Sequence, residues 1–156
     1  MNEADVKAIS IFFFLAFLDD RRALEAANQA VSLFQNKIAA NPKAKHSVLI
    51  VACTLKIWNK NRGRFLRGRP NYANDSGWIL PAKVDFGPWK EFQKSAQEDE
   101  LLVLIWSKIL SFSDDDISIG AEVSAGTLRY RVGKALRKLG FLSVGFRNLN
   151  VVGTDG

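Results

Sequence analysis

The sequence contains one cysteine and one histidine, Cys53 and His46. A single cysteine rules out an internal disulfide, which suits a chain that works in a reducing compartment. One cysteine and one histidine supply neither a zinc-ligand set nor a Cys/His or Ser/His catalytic pair. Because Cys53 ends an apolar run, residues 48–53, we interpret it as a core residue rather than a nucleophile. No set of acid, base, nucleophile and metal assembles from this sequence, so we expect no enzymatic activity and no cofactor.

A long apolar segment is also lacking. The apolar run near the N-terminus, residues 11–18, is far shorter than the roughly 20 residues that a membrane-spanning helix needs. Glu3 and Asp5 precede this run and the charged residues 19–22 follow it, where a signal peptide would have a basic start and a small-residue cleavage site. We therefore expect a largely buried helix, no membrane insertion by this segment and a cytoplasmic location.

The charge of the chain is unbalanced towards lysine and arginine. These residues number 22 against 16 aspartates and glutamates, which gives a formal net charge of +6. Such an excess favours polyanionic partners, since each phosphate that a protein neutralises releases condensed counterions. Net charge alone is a weak argument, because many basic proteins never bind nucleic acid. The placement of the charge along the chain matters more.

The N-terminal half has the pattern of three helices. Residues 3–18 lack glycine and proline and predict the first helix. Asp20 is placed to cap a second helix over residues 21–40, which an Asn-Pro pair then stops. A third helix is predicted over residues 45–60, although a β-strand over residues 47–55 is an alternative because valine and isoleucine are frequent there. Apolar residues spaced three and four apart predict the inward face of the second helix: Leu24, Ala27, Val31, Phe34 and Ile38.

Glycine and proline are concentrated between residues 61 and 89, and they include Gly68, Pro70, Gly77, Pro81, Gly87 and Pro88. Such a stretch predicts a long connection between two helical halves. The 156 residues and the hydrophobic fraction of 47% are enough for two small packed units. We therefore predict an all-α fold with a first domain over residues 1–62, a linker over 63–90, a second domain over 91–145 and a tail over 146–156.

The helical pattern returns after residue 91. A short helix is predicted to begin at Ser113, in a capping-box-like arrangement with Asp116. We interpret the acidic residues 114–116 as favourable charges at the positive end of that helix dipole. A metal site is disfavoured, because consecutive carboxylates on a helix point in different directions. The apolar face that precedes this helix consists of Leu101, Leu102, Leu104, Ile105, Ile109 and Leu110, with Trp106 beside it.

Residues 113–140 have the pattern of a helix-turn-helix. The short helix ends near Ala121, a turn follows, and Ser124 is placed to cap the next helix. The apolar stripe of that helix is predicted to face inward: Leu128, Val132, Ala135, Leu136 and Leu139. Its remaining face is basic: Arg129, Arg131, Lys134, Arg137 and Lys138. One apolar stripe, one basic stripe and a capped start are what a groove-reading helix requires.

This segment resembles region 4 of bacterial RNA polymerase sigma factors, especially those of the extracytoplasmic-function type. The resemblance lies in an early isoleucine, a Val-Ser turn, a Gly-Thr pair and a basic helix that closes on leucine: Ile117, Val123, Ser124, Gly126, Thr127, Arg131, Ala135, Leu136 and Leu139. Glu122 departs from the family pattern, which has glycine at this turn position. A residue other than glycine resists the left-handed conformation.

The resemblance implies a helix that reads promoter DNA, in a domain that also contacts the polymerase core. The residues implied to contact DNA are Ser124, Thr127, Arg129, Tyr130, Arg131, Lys134, Arg137 and Lys138. Thr127 and the helix N-terminus would hold a phosphate. Arg129 and Arg131 are the candidates for base edges or phosphates, whereas Arg137 and Lys138 would contact the backbone only.

Residues 18–34 show a weaker resemblance, to the polymerase-binding helix of sigma region 2. It implies polymerase contacts by Asp20, Glu25 and Gln29. In that family a melting helix follows, and exposed aromatic side chains are the means of capturing an unstacked base. Here the aromatic and basic positions of that helix hold Val48, Ile50 and Thr54, so we do not expect promoter opening by this half. A basic run follows that either tracks DNA or forms a solvated surface: Lys56, Lys60, Arg62, Arg64, Arg67 and Arg69.

The sequence therefore favours a sigma-factor-like transcription regulator that contacts promoter DNA through its helix-turn-helix, with RNA polymerase as a further partner. The alternative is a sigma-like domain that has become a protein-interaction module. Such a module would bind the RNA polymerase core or an anti-sigma-like protein, as the cytoplasmic head of a longer protein. The two hypotheses differ in one requirement, because only the first needs salt-sensitive binding of duplex DNA.

Overall fold

A computed structural model of the chain describes residues 2–65 and 87–140, and all regular structure in these residues is helical. The predicted all-α class is confirmed. The helices are α1 (Glu3–Phe17), α2 (Asp20–Ala40), α3 (His46–Phe65), α4 (Gly87–Ser95), α5 (Glu98–Leu104), α6 (Asp114–Ala121) and α7 (Ala125–Gly140), and a π-helical turn (Ile105–Ile109) continues α5. The strand alternative for residues 47–55 is wrong, because α3 buries side chains at helical spacing: Ile50, Val51, Thr54, Ile57 and Trp58.

Side chains at the helix starts satisfy backbone N–H groups that have no partner within the helix. At α1, the side chain of Asn2 accepts from the Asp5 N–H (2.9 Å), and the Asp5 carboxylate accepts from the Asn2 N–H (3.3 Å). At α2, the cap is Asp19 and not the predicted Asp20, which is the first helical residue. Leu18 takes the left-handed conformation (φ 52°) and reverses the chain there. Asp19 is therefore the extended residue whose carboxylate accepts from the backbone N–H groups of Arg21 and Arg22.

The buried face of α2 differs in part from the predicted stripe. Leu24 was expected to face inward but is 57% exposed. The core side of α2 is instead lined with small residues and one phenylalanine: Ala23, Ala26, Ala27, Ala30 and Phe34. Alanine side chains are small, so α1 and α3 pack closely against this side of α2. The buried face of α2 is therefore centred on the alanines and not on the predicted stripe. The apolar spacing misplaced the centre of the buried face, because it counted Leu24 as a core position ahead of the alanines.

The hydrophobic core of the described residues runs through both halves of the chain. Phe12 of α1 stacks on Trp106 of the π-helical turn (ring centroids 5.6 Å apart). The Trp89 indole of α4 donates to the Leu15 carbonyl (2.7 Å). Because residues from α1 to α7 join one apolar cluster, the division into two domains stays a prediction. None of the described helices is both long and apolar enough to cross a lipid bilayer.

The predicted linker is helical at both of its described ends. Helix α3 continues to Phe65, and α4 begins at Gly87, with Trp89 fully buried against α1. The rest of the linker, residues 66–86, and the predicted tail, residues 146–156, lie outside the described residues.

A π-helical turn interrupts the apolar face that begins at Leu101. In this turn the Leu110 N–H donates to the Ile105 carbonyl, five residues back (2.9 Å). Trp106 lies within the turn and is 2% exposed, and its indole N–H donates to the Thr54 hydroxyl of α3 (3.0 Å). The turn therefore joins the second half of the chain to α1 and α3 through one aromatic side chain.

Candidate nucleic-acid interface

Helices α6 and α7 form the predicted helix-turn-helix, and α6 lies against α3. Ser113 caps α6, and its hydroxyl accepts from the Asp116 N–H (3.1 Å). Asp116 pairs with Lys45 (3.0 Å) and accepts from the Ser47 hydroxyl at the start of α3. Burial by itself raises the pKa of Asp116, but these hydrogen bonds and the Lys45 charge lower it below its ordinary value. The predicted acidic helix start thus also anchors α6 to α3.

Gly120 permits the closest approach of α6 to α3. A Cβ atom at this position would lie 2.7 Å from both the Val48 carbonyl oxygen and the Val51 Cβ. The two helices could not pack at this distance with any larger residue at position 120. Sequence reasoning did not single out Gly120, and the available signal was a glycine inside a short helix, where it disfavours the helix by about 1 kcal/mol relative to alanine.

The turn between α6 and α7 adopts the geometry that glycine usually provides. Glu122 has φ 57° and ψ 45°, the left-handed conformation that its side chain was expected to resist. The Val123 N–H donates to the Ser118 carbonyl (3.1 Å) and closes the end of α6. The helix-turn-helix therefore keeps its shape at an energetic cost of about 1 kcal/mol or more for the strained residue.

The N-terminus of α7 is open to solvent. Ser124 caps the helix as predicted, because its hydroxyl accepts from the Thr127 N–H (3.1 Å) and donates to the Thr127 hydroxyl (2.9 Å). A Cβ atom at Gly126 would meet no atom of the described residues within 4 Å. No acidic residue lies in the first turn. An anion such as a phosphate can therefore reach the positive end of the helix dipole.

The inward stripe of α7 is confirmed at Leu128, Ala135 and Leu139, which are buried. Val132 is half-buried. Leu136 was expected to face inward, but it lies at the edge of the solvent-exposed side with 36% of its surface accessible. At 100° per residue, Leu136 is about 80° from the centre of the buried stripe. The apolar pattern therefore overestimated the width of the buried face of α7.

The basic face of α7 is divided into two parts, because α5 places two carboxylates against one side of it. Arg131 pairs with Asp99 (3.1 Å). Lys134 and Lys138 both pair with Glu100 (3.3 and 2.8 Å), whose side chain is 1% exposed. We refer to Arg131, Lys134 and Lys138 as the paired side of α7. Sequence reasoning missed this arrangement, and the acidic run 98–100 beside an apolar helical face was its only signal.

The surroundings of Glu100 favour the ionised form of its carboxyl. Burial by itself raises the pKa of its carboxyl, but hydrogen bonds from Lys138, from the Gln97 backbone N–H and from Lys134 lower the pKa below its ordinary value. A cleft of about 280 Å³ runs beside this cluster, and Asp99, Glu100 and Thr127 contribute to its lining. The two carboxylates make this cleft a poor place for a phosphate.

The other part of the α7 surface carries cations without an acidic partner among the described residues. Arg129, Tyr130 and Arg137 are exposed, Tyr130 by 65%. Gly126 and Gly133 lie between them on the same side of the helix. We refer to these five residues as the open side of α7. Because glycines have no side chain, this surface allows a ligand to approach the helix backbone closely at Gly126, whereas the flexible Arg137 side chain lies near Gly133.

The three candidate polymerase-binding residues do not form one cluster. Glu25 is exposed and pairs with Arg21 on the same face of α2 (3.5 Å). Gln29 lies towards α3, where its side-chain oxygen accepts from the Asn61 amide (3.4 Å). Asp20 is half-buried at the start of the helix. Of the predicted basic run, Lys56 and Lys60 are exposed on α3, and the side chains of Arg62, Arg64, Arg67 and Arg69 lie outside the described residues.

No protein-family model, curated protein or solved structure matches the chain. Within residues 2–65 and 87–140 there is also no group of three or more histidine, cysteine, aspartate or glutamate side chains arranged to hold a metal ion. The geometry and charge of the helix-turn-helix are therefore the features that indicate a function.

Proposed function

We propose that the chain is a sigma-factor-like DNA-binding transcription regulator, which inserts α7 into the major groove of promoter DNA. The open side of α7 carries this proposal. Two arginines with no acidic partner among the described residues and an exposed tyrosine flank a glycine-lined helix surface, next to an accessible helix N-terminus. A groove-reading helix needs this combination of cations, stacking groups and close backbone approach. A chain with this function acts in the cytoplasm and has RNA polymerase as a second partner.

The division of the basic face changes the expected importance of single residues. Arg129 and Arg137 are available without breaking an ion pair, so they become the main candidates for phosphate or base-edge contacts. Arg131, Lys134 and Lys138 contribute less, because a DNA contact by any of them competes with Asp99 or Glu100. Ser124 remains a candidate for a phosphate at the helix N-terminus, whereas Thr127 lines the cleft beside Asp99 and Glu100, where a phosphate is disfavoured.

Binding of the purified chain to a labelled duplex DNA across a salt series tests the proposal. We expect binding that weakens steeply with salt, with micromolar affinity at low salt for a mixed-sequence duplex. Arg129→Ala should weaken binding several-fold and reduce the slope of log K against log salt by about 0.9, the loss of one phosphate contact. Arg131→Ala should have a smaller effect than Arg129→Ala.

The control variant is Arg21→Ala, which removes one exposed arginine of α2 and the same net charge. It should leave the affinity for DNA nearly unchanged. A wild-type chain without salt-sensitive DNA binding contradicts the proposal, and so does an equal loss of affinity in the Arg21 and Arg129 variants.

A second candidate function is a protein-interaction module that binds the RNA polymerase core or an anti-sigma-like protein. The ion pairs on the paired side favour it, because they neutralise three of the basic residues of α7 within the chain itself. This candidate predicts stable binding to purified polymerase core in the absence of DNA. Glu25→Lys should weaken that binding, whereas Arg129→Ala should leave it unchanged.

A further inference from the structure

A groove separate from the open side of α7 lies where α3 meets the ends of α2 and α6. Its volume is about 450 Å³, within the range of about 300–1,000 Å³ typical of ligand clefts. The apolar part of its lining comes from Val48, Ala52 and Leu55 of α3 and from Ile119 of α6. Gly120 of α6 borders the groove where that helix packs tightly on α3.

Ile119 is the unusual residue of this groove. Its side chain is 65% exposed, while Val48, Ala52 and Leu55 beside it are only half-buried. One exposed apolar side chain beside three half-buried ones in a groove offers a contact for an apolar side chain of a partner. A single exposed isoleucine on a convex surface is common and does not indicate a binding site, but here four apolar residues line one groove.

The rim of the groove is predominantly basic. Lys37 and Lys56 lie on it, and neither forms an ion pair with any residue that the structure describes. Burial raises the pKa of the Cys53 thiol on α3, and the nearby ammonium groups of Lys37 and Lys56 partly offset the rise. Glu122 is the one carboxylate among the lining residues.

We infer that this groove binds an amphipathic acidic segment of a partner protein. Its apolar side chains would pack on Ile119, Val48 and Leu55, and its carboxylates would pair with Lys37 and Lys56. An amphipathic helix laid into an apolar groove is a recurrent mode of peptide recognition, and complementary charge on the rim fixes its orientation. The surface differs from the open side of α7, so the inference does not depend on DNA binding.

Three synthetic helical peptides of about 14 residues, roughly four turns, test the inference with the full chain. The first carries leucine at helical spacing on one face and glutamate on the other. In the second, lysine replaces every glutamate, and in the third, glutamine replaces every leucine. Fluorescence anisotropy of labelled peptides gives the affinities, and backbone amide NMR shifts locate the contact.

We expect the first peptide to bind with a dissociation constant of about 100 μM or tighter and the other two at least about ten-fold more weakly. The largest amide shifts should fall on residues of α3 and the end of α6. Ile119→Ser should weaken binding of the first peptide about ten-fold and Lys56→Glu about five-fold. The matched controls are Val6→Ser and Lys7→Glu on the exposed surface of α1, which should leave the affinity unchanged.

Failure of the acidic amphipathic peptide to bind at a concentration of about 1 mM overturns the inference. Equal binding of the lysine peptide also overturns it, as does an equal loss of affinity in the control variants. If duplex DNA instead shifts the amides of the groove and the acidic peptide does not, the groove is part of the nucleic-acid surface and the inference is wrong.

Discussion

Glu100 is almost fully buried, and it holds two lysines of α7 to α5. Isolated buried charges are strongly unfavourable, so this carboxylate is tolerated only because Lys134, Lys138 and the Gln97 N–H surround it. Its lowered pKa has a consequence for stability. A carboxyl whose pKa is depressed by folding stabilises the folded state above its ordinary pKa, and this contribution is lost as the pH falls below that value towards the folded-state pKa.

Replacing Glu100 with glutamine should therefore change both the size and the pH dependence of stability. We expect Glu100→Gln to lower the free energy of unfolding at neutral pH by roughly 1–3 kcal/mol, because both lysines lose a charged partner. Below the ordinary value of 4.5 for this carboxyl, the difference from wild type should shrink. Urea unfolding over a pH series measures both effects.

The comparison variant is Glu91→Gln, which removes an exposed carboxylate that pairs loosely with Lys94 (3.9 Å). It should change stability by less than about 0.5 kcal/mol at any pH. If Glu100→Gln follows the wild-type pH profile unchanged, the carboxylate is not ionised as the geometry requires. Some pH dependence will persist in the variant, because the pKa of Asp116 is also lowered in the folded state.

At the scale of secondary structure, the sequence predicted what depends on neighbours along the chain. The caps at Ser113 and Ser124 and the buried positions of α7 at Leu128 and Ala135 followed from local spacing, and the structure confirms them. Local patterns carry this information because helix periodicity and capping involve residues within a turn or two of each other.

What the sequence could not provide is the choice of partner between helices. Leu24 was placed inward because nothing in the sequence states that α1 and α3 pack against the alanines of α2. The pairing of Asp99 with Arg131 joins residues on different helices, and no spacing rule predicts it. The candidate residues from Thr127 to Lys138 lie on one helix as predicted, while their division into a paired and an open side depends on tertiary structure.

Asp99 should restrain DNA binding by α7 if the proposed function is correct. Replacing it with asparagine frees Arg131, so Asp99→Asn should strengthen binding to duplex DNA several-fold and steepen the salt slope by about 0.9. The matched variant is Asp115→Asn, which removes the same charge from an exposed position in the first turn of α6. An equal gain in both variants would indicate a general effect of net charge and would contradict the specific role of Asp99.

At the scale of the whole molecule, the described helices pack around one shared core. Phe12 has no exposed surface, and it contacts Trp106 across the two halves of the chain. The Trp106 hydrogen bond to Thr54 and the Trp89 hydrogen bond to Leu15 connect the same two halves. A cavity at Phe12 should therefore destabilise both halves at once.

We expect Phe12→Ala to lower the free energy of unfolding by about 3–5 kcal/mol and to leave a single cooperative transition. Far-UV circular dichroism and tryptophan fluorescence should give the same midpoint in urea. Val6→Ala, on the exposed side of the same helix, should cost less than about 0.5 kcal/mol. Two separated transitions in either protein would instead support two independently folding domains, as the sequence suggested.

The π-helical turn Ile105–Ile109 determines the direction in which the helices after it, α6 and α7, face. A π-helical turn holds about one residue more than an α-helical turn, so deleting one residue here would leave a continuous helix. Each residue of an α-helix advances the chain by about 100° around its axis, so winding the same five residues as a regular α-helix, without that deletion, would turn the start of α6 by roughly that angle. Lys45 and Asp116 would then point away from each other, and Gly120 would no longer meet α3. One extra residue in a single helical turn thus determines how the helix-turn-helix is rotated against α3.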